Sequence, residues 1–224
     1  MGTAIGSTLP LAVGVAISPL PIIALILLLV GPRARSSGAA LLVGWVLGLA
    51  VVGTVGLLIA DSAGATSSAE PAGWVNALQL VIGVVLVLLA GWEWRGRPAD
   101  GSDHEPPRWM ASMDSMSAAR ALMFGVLFSG VKPKNLLLTL GAASLIAETG
   151  IGAAQQALAL GIFVLIGSIG IVVPVLIYVV LGAGAARVLD QLKSWMVRYN
   201  AVIMTVLLLV FGAVLVGDAI SGFG

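Results

Sequence analysis

Apolar residues run through this chain in six long stretches, and polar residues gather in the segments between them. The stretches lie at roughly 8–30, 38–60, 74–94, 118–147, 153–182 and 199–220. A bilayer core takes about 20 consecutive apolar residues as one helix, so each stretch predicts a membrane-spanning helix. Stretches four and five are longer than one straight crossing needs, and tilt, kinks or interfacial turns would absorb the excess.

The charges between the stretches predict an orientation. Arg33 and Arg35 follow the first span. Arg95, Arg97, Arg108 and Arg120 lie between the third and fourth, and Arg187, Lys193 and Arg198 between the fifth and sixth. The connections near 61–73 and 148–152 hold no Lys or Arg. Basic residues concentrate in cytoplasmic loops, so this alternation puts 95–117 in the cytoplasm of a multi-pass plasma-membrane protein, with both termini outside. Trp74, Trp92 and Trp94 bracket the third span and suit an interfacial aromatic belt.

Composition agrees with a lipid environment. The chain is 59% hydrophobic and only 9% charged, against about a quarter charged in a soluble domain. Net charge is +1, which gives no electrostatic case for nucleic acid. There is no cysteine, so disulfides and thiolate chemistry are excluded. No nucleophile elbow or phosphate-binding loop is present. The chain is therefore not expected to be an enzyme or to carry a cofactor. The first basic residue is Arg33, so a signal-peptide n-region is missing and the first stretch is expected to be retained.

The connection 95–117 divides the chain into two three-span halves, 1–94 and 118–224, of opposite topology. The halves share a faint echo. "GVAISPLPI" (Gly14 to Ile22) and "GVLFSGVKP" (Gly125 to Pro133) both place Gly-Val, then serine, then proline inside a span. Inverted three-helix repeats with interrupted helices at matching positions are found in transporters. The fold class expected is an all-α membrane protein with six spans, built as two inverted repeats with helices 1 and 4 broken.

Proline inside a helix lacks an N–H and clashes with the carbonyl four residues back. Pro19 and Pro21 would free the carbonyls of Val15 and Ile17, and Pro133 that of Ser129. Leu20 and Lys132, each preceding a proline, are pushed towards extended backbone. Pro174 would interrupt span five in the same way, as a hinge or as part of a close-packed stripe with Gly161, Gly167, Ser168 and Gly170.

Span four also carries Lys132 and Lys134 beside its proline. Each lysine costs roughly 2.5–3.5 kcal/mol at the centre of an inserting helix. No Asp, Glu or His lies in the middle of the apolar stretches to offset them; Glu93, Glu148 and Asp218 sit at or near span ends. The lysines would therefore face a hydrated cavity, meet freed carbonyls, or bind an incoming anion. With Pro133 near the first position of a new half-helix, Lys132, Lys134 and Asn135 would stand at a helix N-terminus, which favours anions.

These segments resemble a known group. "ISPLPIIALILLL", "GPRARSSGAALLVGWVLGL" and "KPKNLLLTLGAASLI" look like the signature regions of the lysine-exporter (LysE) superfamily. The nearer resemblance is to the GAP family of peptidoglycolipid- or sulfolipid-addressing proteins, and it covers nearly the whole chain. It implies an inverted-repeat transporter linked to moving glycolipids or small solutes outward through the plasma membrane. By that likeness Pro19, Pro21, Lys132, Pro133, Lys134 and Asn135 would form the substrate site, with Ser18 and Ser129 beside it. Amino-acid exporters carry Pro-Gly-Pro and a following Asn in span one. Here Leu20 replaces the Gly and no Asn follows, so an amino-acid cargo fits less well.

The expected cargo is a membrane lipid or an anionic small molecule. Two other readings stand beside lipid export: export of a small solute, and a non-transporting subunit of a larger lipid-export machine. The 29 glycines suit close helix approach and would suit a homodimer. Asp103, His104 and Glu105 read as a solvated linker rather than metal ligands, since adjacent residues rarely converge on one ion. Two stretches read as amphipathic segments on the inner surface or as plain elbows. One carries Trp109, Met113 and Met116 near Arg108 and Arg120, and the other is "ARVLDQLKSWMVRYN" from Ala186. Gln79, Gln155 and Gln156 could face a cavity.

Overall fold

The computed structural model describes residues 1–62, 73–96, 113 and 116–223. The described residues are helical, without strands. Helix α1 (Gly2–Ala16) leads into α2 (Pro19–Val30), followed by α3 (Ala34–Ser62) and α4 (Gly73–Arg95). After the linker come α5 (Ala118–Gly130), α6 (Pro133–Glu148), α7 (Ala153–Gly167) and α8 (Ile169–Leu181). A 3-10 turn at Gly182–Gly184 leads into α9 (Ala185–Phe223).

Three helices are long and apolar enough to cross a membrane singly: α3, α4 from Asn76, and α9. Three pairs pass only together, each bent at a short break: α1 with α2 by 52°, α5 with α6 by 59°, and α7 with α8 by 53°. The count reaches six if each bent pair is one span, which matches the six apolar stretches.

Two of the bends fall where proline places them. Ser18 is extended (φ −119°, ψ 90°) and Pro19 opens α2. Lys132 (φ −58°, ψ 125°) precedes Pro133, which opens α6. Leu20 differs from expectation: it is helical within α2. Pro21 is the third residue of that helix, where the N–H it lacks would have had no intrahelical partner, so one break serves both prolines.

The third bend corrects the reading of span five. The chain turns at Ser168, and Pro174 lies inside α8 without breaking it. Small residues set the site. Gly170 packs against Ala16 O, where a Cβ would collide with the carbonyl. Gly167 lies beside Val15 and accepts a hydrogen bond from the buried Trp45 Nε1 at 3.4 Å. The break of span five is thus pressed onto the break of span one.

Glycine also sets the two closest helix pairs. α3 and α5 run parallel, Gly44 beside Leu122 and Gly48 beside Val126. A Cβ on Gly48 would stand 2.8 Å from Val126 O, and one on Gly125 2.8 Å from Trp45 N. α4 and α9 run antiparallel through Gly83 and Gly212, where either Cβ would come within 3 Å of the other glycine's carbonyl oxygen. Without a hydrophobic force between helices in lipid, such close approach supplies the attraction.

The bundle has chemically distinct ends. Ser37 Oγ at the start of α3 donates to Met116 O just before α5 at 3.0 Å. The turn at Gly31 lies beside Ala185 and Leu189 of α9. Arg33, Arg35, Arg120 and Arg187 therefore stand at one end. At the other end Gln79 Nε2 donates to Glu148 Oε1 (2.7 Å), Gln156 Nε2 to Asp61 Oδ1 (3.2 Å) and Asn76 Nδ2 to Gly222 O (2.6 Å).

α9 replaces the expected surface segment or elbow with one continuous helix of 39 residues. At 1.5 Å per residue it is about 58 Å long, well beyond a core of about 30 Å. Its early part packs Leu189 and Met196 inward and leaves Val188 and Trp195 exposed. Met113 is buried, while Arg97, Arg108, Trp109, Asp103, His104 and Glu105 lie outside the described residues, as does the side chain of Trp74.

Gly48→Val should destabilise the α3–α5 pair by about 1–3 kcal/mol, the usual cost of overpacking. Gly161→Val is the control, because a Cβ there meets nothing within 4 Å. Thermal unfolding of purified protein in detergent should show a lower midpoint for the first and little change for the second. Equal midpoints would refute the close-approach account.

Candidate functional site

The residues singled out by sequence separate into three groups. The first is a buried polar junction between the breaks of spans one and four. Lys134 is 4% exposed, and Ser18 and Asn135 are fully buried. Lys134 Nζ donates to Gly14 O at 2.7 Å, Ile17 O at 3.0 Å and Ser18 Oγ at 2.9 Å. An ammonium has three N–H donors, and here it has three acceptors.

The location makes the charge tolerable. α1 ends at Ala16, and a helix C-terminus presents unpaired carbonyls and the negative end of its dipole. Lys134 thus caps α1 from another span. Ile17 O is one of the two carbonyls that the prolines were expected to free. The other, Val15 O, accepts from Ser18 Oγ at 2.7 Å. Asn135 finishes the junction. Its Nδ2 donates to Phe128 O near the end of α5 (2.8 Å), and its Oδ1 lies 3.1 Å from Ser18 Oγ. Its own carbonyl accepts from Thr139 Oγ1 at 2.7 Å. Of the three fates open to the lysines, Lys134 has taken the freed carbonyls.

Lys132 is different. It is half-buried, and Nζ sits 5.6 Å from the centroid of the Phe128 ring, itself stacked on Phe124 at 4.1 Å. A cation over an aromatic face at that distance is attracted by the ring quadrupole. Among the described residues, no hydrogen bond or ion pair holds this ammonium. Lys132 is the residue before the first turn of α6 and makes no side-chain cap, so the early N–H groups of α6 lie close by. Val131 and Pro133 beside it are exposed.

The third group is structural. Pro19 and Pro21 are buried and start α2. Ser129 is buried against Gly48 of α3, and its hydroxyl turns back to Val126 O at 3.3 Å. Ser129 therefore does not face Lys132. The serine of each echo segment makes the same bond, to the carbonyl of the valine three residues before it.

Sequence reasoning named Ile17 O as a freed carbonyl, but it missed Gly14 O and did not assign either acceptor to Lys134. Both are backbone atoms of the other half, and no residue identity announces the pairing. It also missed Trp45, which ties α3 to the third break. It flagged Gln79 and Gln156 singly and did not pair them with Glu148 and Asp61, which lie 69 and 95 residues away. Gln155 is exposed. Among the described residues, no group of His, Cys, Asp and Glu is arranged to hold a metal.

Lys134→Met would leave Gly14 O and Ile17 O buried without a donor, at about 1–3 kcal/mol each. Its thermal midpoint in detergent should fall sharply. Lys132→Met should change stability by no more than about 1 kcal/mol, the usual worth of a cation over an aromatic ring at an exposed site. A reversed order would refute the division of roles.

No curated protein and no solved structure gives a significant match to this chain. Its helices are those of a multi-pass membrane protein. Residues 8–221, nearly the whole chain with all three helix breaks included, match the family described as Sap, sulfolipid-1-addressing protein, and the chain belongs to that family.

Proposed function

We propose that this protein is a six-span secondary transporter of the plasma membrane that exports an anionic or amphipathic lipid, with the anionic group of the cargo received at Lys132. One observation carries the reading. Of two lysines in a broken membrane helix, Lys134 is wholly consumed by protein acceptors, whereas Lys132 has none among the described residues and stands at a helix start. Intramembrane ionisable residues are costly and usually functional. A lysine that no described residue holds by a hydrogen bond or ion pair, with the Glu93 carboxylate attracting it only from beyond contact, is suited to an acceptor that comes and goes. The family's link to a sulfolipid supports lipid as the cargo class.

Two inverted halves are part of this proposal. The matched bends of 52° and 59°, the parallel packing of α3 on α5 and the matched serine bonds support it. The likeness is incomplete, because α3 is a single helix while its counterpart α7–α8 is bent. Kinship with the lysine exporters rests on Ser18 to Pro21 and Val131 to Asn135. Rocking of one half against the other about the Lys134 junction would give alternating access.

The test follows from the division between the lysines. Removing both would unseat α1 as well as the site, so Lys132 is replaced alone. In proteoliposomes, flip of a fluorescent sulfated lipid should be at least about tenfold slower for Lys132→Met and largely retained by Lys132→Arg, both with near-normal thermal midpoints. A normal rate for Lys132→Met removes the site. A protein that moves no lipid yet co-purifies with a pump would favour an accessory subunit.

Orientation is tested separately. The chain lacks cysteine, so single cysteines at Gly2 and Ser102 report cleanly. An impermeant thiol reagent applied to intact cells should label Gly2→Cys and spare Ser102→Cys until the membrane is opened. The opposite pattern would reverse the topology.

A further inference from the structure

An apolar groove of about 600 Å³ runs along the flank of the bundle between α3 and α7. Small residues, Ala50, Thr54, Ala157 and Gly161, leave the space, while Leu58 and Leu165 stand beside it 62% and 72% exposed. From Ala50 to Asp61 the groove follows α3 for about 17 Å, at 1.5 Å per residue. Its side is open, and on a membrane-spanning helix that side faces lipid.

One end of the groove is polar and of one kind. Gln156, 4% exposed, donates Nε2 to Asp61 Oδ1 and to Ile151 O, both at 3.2 Å. Those bonds engage the amide nitrogen. Gln156 Oε1 and Asp61 Oδ2 accept no hydrogen bond from another described residue. The polar end therefore offers acceptors and a negative charge. It would repel a sulfate or phosphate head. It would also disfavour an ethanolamine head, whose ammonium brings a phosphate with it. A neutral polyol supplies several O–H donors on adjacent carbons and no charge.

We propose that this groove binds one acyl chain of a neutral glycosyl lipid, whose hydroxyls donate to Asp61 and Gln156 at the polar end. The site is separate from Lys132 and of opposite charge. It rests on the lipid-handling reading but requires neither transport nor Lys132.

The test uses the full chain in phosphatidylcholine vesicles and an alkyl maltoside carrying a diazirine in its chain. Photolabelling should be saturable and confined to 50–61 and 153–165. Unlabelled alkyl maltoside should compete, and a phosphocholine of equal chain length should not. Gly161→Phe fills the groove from a position where a Cβ meets nothing within 4 Å. It should cut labelling at least about fivefold at an unchanged thermal midpoint, and Asp61→Leu should cut it about threefold. Labelling that rises linearly with probe, spreads around the bundle or ignores Gly161→Phe is that of bulk lipid and overturns the proposal. Lys132→Met should leave labelling unchanged. Saturable labelling with transport insensitive to Lys132 keeps the groove and removes the export reading. Transport that depends on Lys132 with unsaturable labelling does the reverse.

Discussion

The structure depends on one ammonium group that ends a helix it does not belong to. Lys134 comes from the start of α6, yet it satisfies the carbonyls of Gly14 and Ile17 where α1 stops. In a bilayer no water is present to take those carbonyls, so an interrupted helix must find its donors in protein. The same bonds resolve the lysine's own problem, because a charge in the membrane must be paired or hydrated. Two costly features, a broken helix and a buried cation, are stable only together.

That junction organises its neighbours. Ser18 and Asn135 extend it to Val15 O and Phe128 O, so the loose ends of α1 and α5 are closed by side chains of the break regions. Gly170 and Gly167 bring the third break against Ala16 and Val15, and Trp45 fastens α3 to Gly167 O. Three bent helix pairs therefore meet near one point. Away from it, glycine contacts hold α3 to α5 and α4 to α9 as firm pairs.

The two lysines show why identical residues two positions apart differ in role. Residues i and i+2 do not share a helix face, and Pro133 turns the backbone between them. Lys134 faces inward to α1, while Lys132 lies beside Phe128 at the open side of the break. A hydrogen-bonded ammonium and one held by no hydrogen bond among the described residues thus come from one Lys-Pro-Lys segment.

By itself the sequence determined the helical class, the number and limits of the apolar stretches, and the breaks at Pro19 and Pro133. Each follows from local physics: the length of an apolar run, the N–H that proline lacks, and the restraint on the residue before it. It also marked Lys132, Lys134 and Asn135, since a lysine in an apolar run is conspicuous wherever it points. Only the tertiary structure decided which lysine was consumed, because the acceptors are backbone carbonyls of the other half, more than a hundred residues away. It alone moved the bend of span five from Pro174 to Ser168, where the fit of Gly170 against Ala16 outweighs the lost hydrogen bond of a proline. It alone paired Asp61 with Gln156 and Glu148 with Gln79. Local rules fix where a chain can bend and what it must satisfy, and packing between distant segments decides which atoms do so.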